Sequence, residues 1–523
     1  MSPRTSSEAA PALKPVEFFR WTWTQLTSLR TALLLLFLLA LAAIPGSMVP
    51  QTSISPIEVM DFKADNPTLD RFFEPLGMYN VYSSPWFSAI YILLFVSLVG
   101  CIVPRIGTYA RALRTPPPKL PKRPERMPTS VTVAADGGSI ARAGQWLRSK
   151  RYRVQVTDQG VSAERGYLRE AGNLTFHTGL VFMLAGLAWS SLFGFQGSAV
   201  VVEGHSFTNV ITQYDDFTHG GLYDRNSLEP FTLAVNDFLA EFETGDVQRG
   251  AARRFDAEVT VSGSDASGEH LLQVNHPLSL PHGTQVNLLG HGYAVQVTVT
   301  DGNGDVAFSG PVVMLPQDGN FSSVGVVKAP DARPDRLAFE GFFFPTAVLD
   351  ETGPHSVFPD AFNPELYLNA WFGEPKVETG KPESVYVLDT EGLEPVVGDV
   401  EDDRLRMRLM PGDSYELPDG LGTLTFEGWD RWVKLQMSET PGNAMTLTSL
   451  SVAIAGLILS LYIKPRRLFV RVTDGIAAVA GLDRTDTATG LDDEVSQLAD
   501  VVAVTESSPQ TAQLASGTPG RNQ

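Results

Sequence analysis

Cysteine is nearly absent from this chain, with one residue, Cys101, in 523. A lone cysteine forms no internal disulfide and no CxxC pair, so thiol–disulfide exchange within the chain is excluded as its chemistry. Histidine is scarce too: eight residues, with no HxxH or HxxxH spacing and no carboxylates set beside them in a metal-site pattern. There is no glycine-rich phosphate loop, no GxSxG nucleophile elbow and no acidic metal cluster. Together these gaps argue against a self-contained enzyme.

What the chain has is apolar length. A mean hydropathy of −0.01 would suit a soluble protein, but the average hides four apolar runs, at 31–49, 86–103, 174–193 and 446–463. Each is close to the ~20 residues that cross a hydrocarbon core. The first run lies behind Arg4, Lys14, Arg20 and Arg30 and lacks a small-x-small cleavage site before "IPGSMVPQ", so it reads as a retained helix rather than a signal peptide. The stretch "PVEFFRWTWTQLTSLR" before it sets Phe18, Trp21 and Trp23 among basic residues. That pattern fits an interfacial lead-in at the headgroups, or simply the first turns of the same helix.

Charge sets the expected orientation. Residues 104–173 hold 14 Lys/Arg against 5 Asp/Glu, the 50–85 loop has only Lys63 and Arg71 as basic residues, and the fourth run is followed by Lys464, Arg466 and Arg467. The positive-inside rule then places both termini and the 104–173 loop in the cytoplasm, with 50–85 and 194–445 outside a cell membrane crossed four times. Residues 194–445 carry 39 Asp/Glu against 14 Lys/Arg, which excludes nucleic acid as a partner of that segment.

The expected fold class is therefore an integral membrane α-helical protein with four transmembrane helices, a large, mainly antiparallel β extracytoplasmic domain and a small α+β cytoplasmic module. After an N-terminal segment at 1–30, the cytoplasmic loop opens with "RTPPPKLPKRPERMP", an extended basic connector at the membrane surface. "SVTVAA", "GGSIARAGQWLRSK", "YRVQVTD" and "VSAERGYL" follow as a β-α-β-β module of about 45 residues. Period-two stretches such as "HGYAVQVTVTD" and "GTLTFEGWDRWVKLQMS", broken by "DGNGD" and "LPDG", predict a β domain over 194–445 made of two packed sheets. Residues 464–523 read as a largely disordered tail with one short helix around 491–502.

One residue in the spanning runs is out of place. His177, in "REAGNLTFHTGLVFMLAG", is the fourth residue of the third run, in its cytoplasmic half. Ionisable groups in such segments are rare and face a partner or a cavity. At 100° per residue Gly179, Gly186 and Ser190 share one face of this helix, where small side chains let a neighbour approach, and His177 lies about 180° from Gly186. Nearness to the helix N-terminus favours the neutral imidazole, which suits metal or haem ligation. A hydrogen bond to a neighbouring helix, snorkelling to the interface and a proton-relay role remain open beside ligation. One histidine cannot supply both axial ligands of a haem, and no other histidine lies in a spanning run.

His205, His219, His270, His276, His282, His291 and His355 all fall in 194–445 and read as surface or turn residues. Asn275 and Pro277 around His276 imply a fixed turn. Cys101, near the end of the second run, reads as a small packing residue rather than a ligating thiolate. The two tryptophans of "GWDRWVK" fit cross-strand packing.

Taken in order, several stretches resemble the ResB family, the CcsB-type subunit of the system II machinery for cytochrome c maturation. They are "LTSLRTALLLLFLLALAAIPGSMVPQ", "VYSSPWFSAIYILLFVSLVGCIVPR", "AERGYLREAGNLTFHTGLVFMLAG", "QVNHPL" and "LQMSETPG". Gly46-Ser47 stands where the family usually has Gly-Thr. The resemblance implies a subunit that works with a CcsA/ResC-type membrane protein to bind haem b transiently, export it and present it for covalent attachment to the CxxCH motif of an apocytochrome c. It implies an accessory subunit of a synthase complex rather than an enzyme by itself. It also suggests that His177 matches the family's membrane histidine, one axial ligand to the iron, with the second from the partner. Two other classes compete: a membrane-anchored sensor or binding protein, and an electron-transfer subunit holding a permanent haem b.

Overall fold

The computed structural model describes residues 14–52, 54–263, 265, 267–351, 353–375, 385–398, 405–483 and 489–504. It divides into two compact units, Met1–Gly186 with Ala444–Gln523, and Leu187–Asn443. Helices run in the order α1 (Pro15–Leu26), α2 (Leu29–Met48), α3 (Pro56–Asp65), α4 (Pro67–Phe73), α5 (Pro85–Arg114), α6 (Ser139–Ser149), α7 (Leu168–Phe193), α8 (Asn443–Tyr462) and α9 (Leu491–Val502). Of these α2, α5, α7 and α8 are long and apolar enough to cross a bilayer, at the four places hydropathy marks.

In the first unit, α1 and α2 are separate helices. The chain breaks at Thr27-Ser28, where the Ser28 hydroxyl caps α2 by accepting from the Thr31 N–H at 3.2 Å. Residues 15–25 of α1 are all exposed, Phe18, Phe19, Trp21 and Trp23 among them. The α1 C-terminus is held by α5: the Ser97 hydroxyl donates to the Leu26 carbonyl at 2.6 Å and the Cys101 thiol to that of Thr27 at 2.8 Å. These bonds satisfy carbonyls left open where a helix stops. Helix α5 continues through Pro104 to Arg114, well past the apolar run, because intrahelical hydrogen bonds do not require apolar side chains.

The small α+β module holds the predicted strands and helix in their predicted order, but it is larger than one loop. Its antiparallel sheet runs Thr129–Ala134, Ile476–Asp483, Arg466–Thr473, Gly160–Arg165, Arg153–Thr157. Helices α6 and α9 share one core with it, built on Leu147, Val161, Val470, Val479, Val495 and Leu498. The expectation of a largely disordered tail therefore fails for 466–483, whereas the short helix expected around 491–502 is present as α9 (Leu491–Val502); 484–488 and 505–523 lie outside the described residues. The reason is nonlocal pairing: short strands after a membrane helix look like a tail until their partners, some 300 residues earlier, are supplied. Arg466 fastens the tail by bonding Asp483 at 2.7 Å and Glu494 at 2.5 Å. The proline-rich connector contains a 3-10 turn at Pro124–Arg126 and packs on the sheet, with the Pro118 and Pro121 carbonyls accepting from Ser162 and Arg471.

The second unit is the β domain. Its largest sheet has twelve strands, centred on the 18-residue pair Thr284–Asp301 and Gly422–Glu439. A four-stranded sheet, Ser206–Thr208, Thr232–Phe242, Ala252–Ser262 and Gly268–Gln273 in that order, supplies Leu233, Val235, Val259 and Val261 to a core shared with Val286, Val433 and Leu435 of the large sheet. This is the two-sheet packing the alternation predicts. A second core gathers Tyr293, Val295, Phe339, Leu366 and Phe426. The register between the two long strands shifts at Leu288/Gly290, so Leu289 is an extra residue. That bulge changes which residues face inward, from Val286 and Leu288 to His291, Tyr293 and Val295.

Candidate functional site

His177 is the tenth residue of α7, not the fourth, because the helix starts at Leu168. Charged and polar residues such as Arg169 and Glu170 hide these early turns from a hydropathy scan. At 1.5 Å per residue the histidine lies about 14 Å from the helix start. It therefore lies outside the first turn, to which a macrodipole effect is confined.

The hydrogen bond that His177 makes is within its own helix, not to a neighbouring one. His177 Nδ1 lies 2.8 Å from the Asn173 carbonyl oxygen. A carbonyl can only accept, so Nδ1 carries the proton, and in the neutral ring the lone pair is on Nε2. Nε2 has no hydrogen-bond partner among the described residues. Metal-binding histidines use the same arrangement, one nitrogen fixed by a backbone carbonyl and the other free to ligate. The ring is half-buried, with the Phe176 ring edge-on at 5.0 Å.

The opposite face of α7 packs on α8. A Cβ on Gly172 would stand 2.6 Å from the Ser460 nitrogen, and one on Gly179 2.8 Å from the Ala453 Cβ. Gly456 returns the contact against Phe176 and Gly172. The small-residue face thus does bring a helix close, and Gly172 joins it. Helix α5 runs antiparallel to α7, since the Tyr91 hydroxyl donates to the Leu184 carbonyl at 2.8 Å and that of Tyr109 to the Tyr167 carbonyl at 3.2 Å. His177 falls between these two contacts.

Among the described residues no group of three or more His, Cys, Asp or Glu could hold a metal ion. His177 belongs to no such group. Cys101 is not brought to it, because its thiol is spent on Thr27.

In the β domain His276 sits in the expected turn, with Asn275 at φ +62°. Trp432 packs across the strands over Gly292 and donates to the Met314 carbonyl at 3.1 Å. His291 corrects its surface reading. It lies among aromatic rings, with Phe255 at 4.5 Å and Phe321 at 4.7 Å, and its buried Nδ1 has no partner. Burial, helped by the nearby Arg431 guanidinium, pulls its pKa down to about 3, so the ring is neutral. The signal was available: in "HGYAVQVTV" the alternation puts His291 on the apolar face with Tyr293 and Val295.

Residues 29–496 match the ResB-like family, and the chain belongs to that family. It is similar to proteins named cytochrome c biogenesis protein CcsB. That of Synechococcus sp. (strain CC9605) is 27% identical over 262 residues, 48% of this chain and 56% of the relative. That of Microcystis aeruginosa (strain NIES-843 / IAM M-2473) is 26% identical over 286 residues, 52% and 61%. That of Nostoc sp. (strain PCC 7120 / SAG 25.82 / UTEX 2576) is 26% identical over 266 residues, 48% and 54%. The chain thus spans a little over half the length of these curated relatives.

Proposed function

We propose that this member of the ResB-like family acts in cytochrome c maturation, as a membrane subunit that takes haem b as cargo, passes it across the cell membrane and presents it for attachment to apocytochrome c. The two termini and the small α+β module lie in the cytoplasm and the β domain outside, following the excess of Lys/Arg in 104–173. His177 supplies one axial nitrogen to the haem iron, and a CcsA/ResC-type membrane protein supplies the other.

The observation that carries this reading is the state of His177. Its Nδ1 proton is fixed on Asn173 while Nε2 stays unpartnered, on a face turned away from α8. A spanning-segment imidazole with one nitrogen free is costly unless something outside the chain completes it. A partner carrying the second ligand does so, which also accounts for the single donor.

The test is co-purification of the chain with its partner, and the haem spectrum of the complex. His177→Ala is expected to remove the haem and stop cytochrome c assembly, and high imidazole to restore part of it by filling the vacated position. Full haem occupancy in a stably assembled His177→Ala complex would overturn the ligand assignment.

A further inference from the structure

We propose that the first unit holds a binding site for the headgroup of an anionic phospholipid, in a small pocket where the ends of α5, α7 and α8 meet and Arg467 offers its guanidinium. The pocket has a volume of about 140 Å³ and is lined by Tyr109, Leu113, Glu164, Tyr167, Pro465 and Arg467 among others. That is well below the roughly 300 Å³ at which sites for whole small molecules begin. It suits a phosphate group whose acyl chains lie outside.

Contacts to the backbone fix the pocket at the edge of the bilayer. The Tyr109 hydroxyl on α5 donates to the Tyr167 carbonyl just before α7 at 3.2 Å, and the Arg153 guanidinium to the Leu113 carbonyl at 2.9 Å. Gly166, at φ +80°, lets the chain entering α7 pass the chain leaving α8, since a Cβ there would stand 2.4 Å from the Lys464 carbonyl oxygen. Pro465 comes two residues after the apolar run 446–463, which sets the pocket at headgroup depth, outside the ~30 Å hydrocarbon core. Leu113 in the lining and Leu168 next to Tyr167 are exposed. They give acyl chains an apolar surface that a free phosphate has no use for.

The charges leave cations over. Glu164 is shared by two guanidinium groups: that of Arg153, which it bonds closely, and that of Arg467, whose Nε is 3.6 Å away. Arg467 makes no hydrogen bond among the described residues, and its side chain is 29% exposed, so its donors are within a ligand's reach. The exposed Tyr167 offers its hydroxyl beside it, with Arg153 stacked on the ring at 5.1 Å. Arg165 and Arg466 also line the pocket but are held by Glu494 and Asp483. Next to lining residues in the chain, Arg111, Arg114, Arg169 and Lys464 form no ion pair among the described residues, against one such acid, Glu170. This excess attracts an anion and repels the ammonium of a zwitterionic headgroup; basic pockets between membrane helices take anionic headgroups in this way.

The test uses the full chain in detergent, with native mass spectrometry reading its affinity for phosphatidylglycerol and phosphatidylcholine. The wild type should bind one phosphatidylglycerol in clear preference to phosphatidylcholine. Arg467→Gln should weaken phosphatidylglycerol about tenfold, the loss of one charge-assisted hydrogen bond. Tyr167→Phe, which keeps the ring on Arg153 and removes only a neutral donor, should weaken it roughly threefold, and decides the matter if Arg467→Gln fails to fold. Arg148→Gln removes an equal charge from the exposed side of α6, outside the pocket, and should leave the affinity unchanged. Short-chain phosphatidylglycerol should displace the bound lipid far better than inorganic phosphate. The proposal is overturned by an equal loss in Arg148→Gln, which would make the effect one of overall charge, by no loss in the pocket variants that fold, or by inorganic phosphate displacing the lipid as well as the short-chain form does.

Discussion

The Nδ1 of His177 lies 2.8 Å from the carbonyl oxygen of Asn173, one turn back on the same helix. The acceptor is backbone, so the side chain of residue 173 is dispensable for orienting the ring. Asn173→Ala is expected to keep the haem content of the partner complex within about twofold of wild type, whereas His177→Ala loses it. Haem absorbance per protein measures both, and loss of haem in Asn173→Ala would show that the Asn173 side chain takes part.

The contact between α7 and α8 leaves no room at Gly179, where a Cβ would meet Ala453 at 2.8 Å. Gly179→Leu should force the helices apart and cost roughly 1–3 kcal/mol, as overpacking does. Thermal unfolding in detergent should show a lowered midpoint. An unchanged midpoint would mean that the helices do not pack through this face.

Cys101 donates to the Thr27 carbonyl, a role a hydroxyl can also fill. Cys101→Ser should retain stability, and Cys101→Ala should lose about 0.5–1.5 kcal/mol, the usual contribution of one such bond. Neither should change haem content. A drop in haem with both variants at normal stability would make the thiol a ligand.

Helix α9 belongs to the small module, where Leu498 is fully buried in the shared core. Leu498→Ala should destabilise that module by about 2–5 kcal/mol. Limited proteolysis should then open the segments 129–165 and 466–483 together. Cleavage confined to the C-terminus would instead show α9 to be peripheral.

Glu203, on the β domain, has its pKa pushed up to about 7 by burial and then by the neighbouring Asp237 carboxylate. Between its ordinary value near 4.5 and 7 the folded protein holds a proton that the unfolded chain has released. Its contribution to stability is therefore present in full below 4.5 and is lost as pH rises through 7. Glu203→Gln should flatten the dependence of the unfolding midpoint on pH across this window, relative to wild type. Parallel pH profiles for the two proteins would contradict the shift.

Much of the architecture was legible because it is written in local patterns. Four apolar runs mark α2, α5, α7 and α8, and alternation marks the long strands Thr284–Asp301 and Gly422–Glu439. Their boundaries were less legible. The start of α7 carries Arg169 and Glu170, and the end of α5 carries Arg105 and Arg111, so hydropathy stops where the helix does not. His291 was misread because histidines in a polar segment are usually exposed, although its place in the alternation pointed inward.

By itself the sequence determined that bilayer-length helices would form, that the large intervening segment would be β, and that His177 would stand alone as a nitrogen donor among those helices. These follow from the chemistry of neighbouring residues. Tertiary structure alone decided that 466–483 would complete a sheet with 129–165, that the His177 ring would donate to Asn173, and that His291 would lie between Phe255 and Phe321. Each depends on which distant surfaces meet or on how a ring is turned, and these are settled by burial and backbone pairing across the whole fold.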